Sequence, residues 1–399
     1  MPASLKDNSR LSAAPDPGFG LYFHWPFCRK KCPYCDFNSH VRESVDQARW
    51  TAALLKELDW FAKDLPKRAL TSIFFGGGTP SLMKPGTVAA LIGGAARHFA
   101  FAPDIEITLE ANPTSAEAAF FAGYRQAGVT RLSLGVQSMQ DKALRFLGRE
   151  HSAAEALQAV EMARRAFDNI SFDLIYALPG QEAEDWRADL TRALDLAGDH
   201  LSLYQLTIEP NTGFAGALRR GEFRMPEETL AEDLFELTQE ICEAAGRPAY
   251  EISNHARPGF ECRHNLTYWR YGDYIGIGPG AHGRLPVKGV RTAFQQVKRP
   301  EKWLELVEAS GRGIEAEARL DDPMERAEEL LLMGLRLREG VWNANFEAAA
   351  DRPMKDFFDS NRLQQLIEAG LIICDAEHIA ATARGRLVLN SLLPELFKG

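Results

Sequence analysis

Three cysteines of this 399-residue chain stand close together: Cys28, Cys32 and Cys35, spaced C-x3-C-x2-C at the end of the run that begins at Gly20. Thiolates are soft ligands that favour iron–sulfur clusters or zinc over hard cations. Three of them leave a cubic cluster one ligand short, so one iron can hold a small molecule and pass it an electron. Structural zinc takes four ligands, commonly as two pairs, and the other cysteines, Cys242, Cys262 and Cys374, are isolated. Three buried thiols acting as small apolar residues are the remaining alternative. Lys30, Lys31 and two prolines in the same stretch make a poor core segment. The spacing therefore points to a cluster, with zinc as the competing reading.

Other candidates follow short apolar runs. Gly76-Gly77-Gly78-Thr79-Pro80 lets backbone approach a ligand closely and offers N–H groups to an anion; a plain turn is the alternative. Glu110, before Ala111-Asn112-Pro113, is either a solvated turn residue or a carboxylate facing ribose hydroxyls or an ammonium. Gln137 ends the run Gly135-Val136-Gln137. Asp173 lies among Phe172, Leu174 and Ile175, where an acid must be paired or liganded. Arg149 is the available cation, so a structural Arg149–Asp173 pair competes with a ligand site.

These residues need a scaffold that gathers strand ends. Strand-like runs at 21–25, 72–75, 105–109, 131–136, 170–176 and 201–207 alternate with helix-period stretches at 45–65, 87–99, 116–127, 153–167 and 183–196. Six strand–helix units in series predict an α/β fold with a parallel sheet, doubly wound or barrel-like. In a barrel the chemistry sits at the C-terminal strand ends, where the cysteine loop, the glycine run and Glu110 all fall. A helix from Pro226 to about Ala245 precedes an irregular aromatic segment, 250–283. The expected division is a disordered leader (1–17), a barrel (18–250), a connector (251–320) and a C-terminal domain (321–399). The last domain reads as winged-helix-like and α+β: helices at 323–338, 345–350 and 359–369, a strand pair at 371–374 and 379–381, and a final helix.

Composition is that of a globular protein, 45% apolar and 25% charged. No run reaches the roughly 18 apolar residues that span a bilayer, and the leader lacks the apolar core of a signal peptide. Six cysteines with net charge −9 fit a reducing, cytoplasmic compartment and argue against a nucleic-acid partner. Residues 321–399 carry 9 Lys/Arg against 14 Asp/Glu, so DNA binding is not expected of the winged-helix-like part.

Taken in order, Tyr22, the cysteine loop, Gly-Gly-Gly-Thr-Pro, Leu-Glu-Ala-Asn-Pro, Gly-Val-Gln-Ser, Leu-Gly-Arg and Phe-Asp-Leu-Ile-Tyr-Ala-Leu-Pro-Gly resemble the radical S-adenosylmethionine (SAM) superfamily. Within it they resemble the oxygen-independent coproporphyrinogen III oxidase family and its HemW-type haem-chaperone relatives. The likeness runs from residue 20 through the C-terminal domain. It implies an open six-unit (β/α) partial TIM barrel with a [4Fe-4S] cluster on Cys28, Cys32 and Cys35. It also implies SAM contacts from Tyr22, Tyr34, Gly77, Gly78, Thr79, Glu110, Gln137, Arg149 and Asp173. Many relatives have a glutamate in the glycine motif, where this chain has Gly-Gly-Thr-Pro.

Two features separate the branches. Oxidases carry a further cysteine two residues after the third ligand, where this chain has Phe37, and a longer N-terminal extension. The run His264-Asn265-Leu266-Thr267-Tyr268-Trp269 resembles the haem-binding segment of the chaperones. His264 is a competent iron ligand and the two aromatics suit a porphyrin face; an aromatic core turn is the alternative, with His255 and His282 as other nearby histidines. The resemblance implies a chaperone that delivers haem to haem-requiring (respiratory) proteins and has no oxidase activity. The alternative is a dehydrogenase converting coproporphyrinogen III to protoporphyrinogen IX. Haem and haem-accepting proteins are the implied partners, a homodimer is allowed, and membrane contact is at most peripheral.

Overall fold

Alternation fixes the first strand. In Phe19–Trp25, Leu21, Phe23 and Trp25 are buried in the main hydrophobic core, and Gly20, Tyr22 and His24 take the opposite face. The next helix, Gln47–Ala62, starts at Asp46, whose side chain accepts from the Arg49 N–H. It buries Trp50, Leu54, Leu58 and Phe61 along one face. Trp25 and Phe27 meet Trp50 edge-on at 6.3 and 4.8 Å, contacts that contribute about 0.5–1.5 kcal/mol each beyond the area they bury.

The pattern then repeats. The computed structural model describes residues 14–397; residues 1–13, most of the expected leader, lie outside them. Six parallel strands lie side by side in chain order: Phe19–Trp25, Leu70–Gly77, Phe101–Ala111, Arg131–Gln137, Asn169–Tyr176 and His200–Gln205. Helices Gln47–Ala62, Pro85–His98, Phe121–Ala127, Ala153–Ala166 and Ala183–Leu196 connect them. This is an open (β/α) barrel of six units. The expected helix 116–127 is divided into Ser115–Ala118 and Phe121–Ala127, and the sixth strand stops at Gln205 rather than 207.

Residues 251–320 do not form a separate connector; they extend the same sheet at both edges to eleven strands. Asn254–Ala256 pairs antiparallel with the sixth strand, and Asp273–Ile277 pairs parallel with the first. His282–Val287, Val290–Gln296 and Ile314–Arg319 follow in antiparallel order. The hairpin at Lys288-Gly289 is a two-residue turn with φ of 50° and 81°. The buried Glu57 ties this extension to the first helix. Its carboxylate accepts from Gly278 N–H and Gly313 N–H, both at 2.8 Å, and from Trp303 Nε1 at 3.0 Å. Burial pushes its pKa up to about 7.

The chain divides into two compact units, one of residues 18–268 and 272–321, the other of 322–397 with 269–271 and 14–17. The second unit holds helices Pro323–Gly334, Asn343–Ala350, Ser360–Glu368 and Leu389–Leu396. A small antiparallel sheet orders Val341–Trp342, His378–Ala381 and Ile372–Cys374. That is the winged-helix-like order, with one strand more than the sequence pattern gives. No helix among the described residues is long and apolar enough to cross a membrane.

Candidate functional site

The cysteine loop leaves the first strand and is held at both ends. Phe27–Cys28 pairs with His40–Val41, and within the loop Cys35 N–H donates to Cys32 C=O at 3.1 Å. Asn38 fastens its far side, donating through Nδ2 to Pro279 C=O at 2.8 Å and Lys298 C=O at 2.9 Å. Asn38 C=O in turn accepts from His24 Nε2 at 2.9 Å. A carbonyl only accepts, so His24 carries its proton on Nε2 and its Nδ1 accepts from Tyr22 O–H, 2.9 Å away. Burial lowers the His24 pKa to about 4, so the ring stays neutral.

The loop and the strand ends enclose one cavity of about 420 Å³. Cys28, Cys32, Cys35, Tyr34, Gly77, Gly78, Thr79, Glu110, Gln137, Arg149 and Asp173 all line it. Tyr22, expected among them, does not: its ring packs beside the Phe74–His264 pair at 6.2 Å from each, and its hydroxyl is spent on His24. Gln137 holds φ at 71°, a left-handed conformation at the break in strand pairing. Such strain clusters at ligand sites.

Charge in the cavity is set by burial. Glu110 is pushed up to about 8, first by burial and then by the neighbouring Asp173. Asp173 rises to about 6 for the same first reason, opposed by hydrogen bonds from Ser202 and Ser133 and by the Arg131 and Arg149 charges. The Arg149–Asp173 ion pair, the alternative to a ligand site, is not formed. Arg149 instead donates to Asn112 Oδ1 at 2.6 Å, Gly135 C=O at 2.8 Å and Cys32 Sγ at 3.5 Å. Its Nε is buried without a partner. Thr79 Oγ1 donates to Cys28 Sγ at 3.4 Å, and Ser39 Oγ lies 3.9 Å from Cys35 Sγ. Burial raises the Cys28 and Cys35 thiols.

Three thiols around one mouth, two of them already receiving side-chain donors, fit a sulfur-ligated cluster. Among the described residues no three His, Cys, Asp or Glu side chains gather as a single ion requires.

The His264 segment is placed differently from the expectation. His264 is buried inside the barrel, with Nδ1 2.8 Å from Ser72 Oγ and Nε2 2.8 Å from Tyr268 O–H. Both ring nitrogens are engaged, so in this geometry the ring offers no lone pair to iron. Asn265 Nδ2 donates to Tyr250 O–H at 3.3 Å, and Trp269 groups with the other unit, under the Arg336 guanidinium at 4.6 Å. His255 is likewise buried, whereas His282 is exposed.

Sequence reasoning missed several residues. Tyr204 lines the cavity at the sixth strand end. Arg131, buried in the barrel, donates to Ser171 Oγ at 2.8 Å and lies 4.0 Å from Glu106. Asn112 stands between Thr79 and Arg149; its only sequence signal is the Asn-Pro step that reads as a turn.

Comparison with known proteins agrees with this architecture. Residues 22–193 match the radical SAM superfamily model, and residues 321–388 match the HemN C-terminal domain. The chain is 39% identical over 388 residues to the haem chaperone HemW of Haemophilus influenzae, covering 96% of this chain and 98% of that one. It is 38% identical over 400 residues to radical S-adenosyl methionine domain-containing protein 1, mitochondrial, of Bos taurus, covering 98% and 90%. The solved structure of HemN from Escherichia coli, described as a coproporphyrinogen III oxidase and a radical SAM enzyme, superposes with a TM-score of 0.79 at 24% identity. That match covers 95% of this chain and 90% of the other, a likeness of fold. With a six-unit barrel, three cysteines at its mouth and near full-length relatives at this identity, the chain belongs to the HemW family of the radical SAM superfamily.

Proposed function

We propose that this protein is a haem chaperone that binds haem and delivers it to haem-requiring respiratory proteins, and that it holds a [4Fe-4S] cluster on Cys28, Cys32 and Cys35 with SAM beside it. The observation that carries the reading is the near full-length likeness to relatives named haem chaperone, joined to a cavity that unites the three thiols with the polar strand ends. When bound, the cluster with SAM supplies one-electron chemistry. The chain's own residues do the holding. Gly77 and Gly78 bring backbone to the cavity wall, Arg149 offers its buried Nε to a carboxylate, and Glu110 and Asp173 take hydroxyl or ammonium groups.

Phe37 stands where the oxidases carry a further cysteine, and its side chain is exposed at 58%, which favours the chaperone over the dehydrogenase. A haem contact at His264 requires the Tyr268 hydroxyl to leave Nε2. Haem titration of the anaerobically reconstituted protein tests the proposal: a saturable absorption band is expected, and its absence defeats it. The same titration on His264→Ala separates the roles. An unmoved band keeps His264 as a core residue, and a shifted band means the Tyr268 bond opens on loading.

A further inference from the structure

Four hydrogen bonds link two of the cysteines through one continuous circuit of side chains. Thr79 Oγ1 donates to Cys28 Sγ at 3.4 Å, and Asn112 Nδ2 donates to Thr79 Oγ1 at 3.4 Å. Arg149 Nη2 donates to Asn112 Oδ1 at 2.6 Å, and Arg149 Nη1 donates to Cys32 Sγ at 3.5 Å. The chemistry fixes every direction. A guanidinium only donates, so Asn112 must turn its oxygen to Arg149 and its amino group to Thr79. The Thr79 hydroxyl, having accepted from Asn112, has its one proton left for Cys28. Asn112 is itself held by its backbone N–H, which donates to Glu117 Oε2 at 2.8 Å, and by the proline that follows it.

We propose that Asn112 is a positioning residue that tunes the cluster's reduction potential, by aiming the Thr79 and Arg149 donors at the Cys28 and Cys32 sulfurs. Asn112 touches neither sulfur. The inference rests on the cluster reading above and adds to it a role for a residue outside the thiol set. Hydrogen bonds to the sulfurs are among the factors that set such potentials. A donor stabilises negative charge on a thiolate, and the reduced cluster carries one electron more than the oxidised one. Two aimed donors therefore raise the potential, and removing them lowers it. The circuit also joins the second, third and fourth strand ends (Thr79, Asn112 and Gly135 C=O) to the cysteine loop, so the donors are fixed by the barrel rather than by the loop.

The test uses the full chain, reconstituted anaerobically and assayed first for iron and sulfide. The midpoint potential of the one-electron couple is then measured without SAM by spectroelectrochemical titration. Asn112→Ala removes both arms. Asn112→Asp, of the same size, still accepts from Arg149 but has no proton for Thr79, whose hydroxyl then turns away from Cys28. Both variants are expected to hold the wild-type iron content at a lower potential, and Thr79→Val to fall as well. Adding Asn112→Asp to Thr79→Val should give no further fall. An equal fall in both backgrounds would mark a plain charge effect and overturn the circuit. So would unchanged potentials at full iron content, or loss of the cluster from Asn112→Asp, which would make the residue an assembly element. A wild-type chain that takes up no iron and sulfide defeats the cluster reading itself and the inference with it.

Discussion

Replacing Gly77 by alanine tests how the glycine run is built. The expectation from sequence is that its glycines leave room for a ligand. In the structure the missing side chain makes room for protein: a Cβ on Gly77 would stand 2.6–2.8 Å from three atoms of the His24 ring. Gly77 also holds φ at +110°, which costs an L-residue roughly 1–2 kcal/mol. Displacing His24 breaks its bonds to Tyr22 O–H and Asn38 C=O, at about 1 kcal/mol each. The sum is a loss of about 3–4 kcal/mol in the ligand-free protein, read by urea unfolding with unchanged slope. Gly93 is the control. It lies in the helix Pro85–His98 with nothing within 4 Å of an added Cβ, so Gly93→Ala should stabilise by about 0.5–1 kcal/mol. A Gly77→Ala protein as stable as wild type, weakened only in ligand binding, would falsify this account and restore the simpler one.

Other outcomes follow from the same geometry. Glu57→Gln turns an amino group toward backbone and indole donors, so unfolding should show a loss of roughly 1–3 kcal/mol; an unchanged midpoint would contradict the hub. Glu110 has a folded pKa raised to about 8 from 4.5, so it binds its proton more tightly when folded. Its contribution is fully present below pH 4.5 and is lost as pH rises through 8. Glu110→Gln should therefore match wild type at pH 4.5 and gain relative to it by up to about 3 kcal/mol at pH 7; a gap independent of pH refutes the assignment. His264→Ala strands the hydroxyls of Ser72 and Tyr268 in the barrel and should cost about 2–4 kcal/mol in unfolding measurements, whereas a loss under about 1 kcal/mol would mean the ring carries little of the core.

How far the sequence reaches depends on what each residue's partner is. The barrel was legible because each strand repeats an apolar run and each helix a 3.6-residue face, as in Trp50, Leu54, Leu58 and Phe61. The cavity was legible because the loop and the polar residues after these runs share the C-terminal strand ends, which a parallel barrel gathers by construction. The His264 segment shows the limit. A histidine and a tyrosine four residues apart lie on one face of the helix Arg263–Trp269, so they can bond each other. Spacing alone does not say whether that face looks into the barrel or out to a ligand. Arg149 shows it again. Its charge announced a partner, but a choice between Asp173 on the fifth strand and Asn112 beyond the third depends on side-chain reach across a closed mouth. The strands 254–256 and 273–277, which flank the six-strand barrel, were illegible because three to five residues carry too little alternation, and their pairing is set by the open barrel edges they cover.

The central claim, a haem-carrying protein built on a radical SAM barrel without the oxidase reaction, meets its most direct test in one paired assay. The anaerobically reconstituted chain, with SAM and a reductant, is given haem in one vessel and coproporphyrinogen III in the other. The account predicts stoichiometric haem binding, transfer of that haem to an apo-haem protein, and no protoporphyrinogen IX. Sustained conversion of coproporphyrinogen III with no retained haem would contradict it.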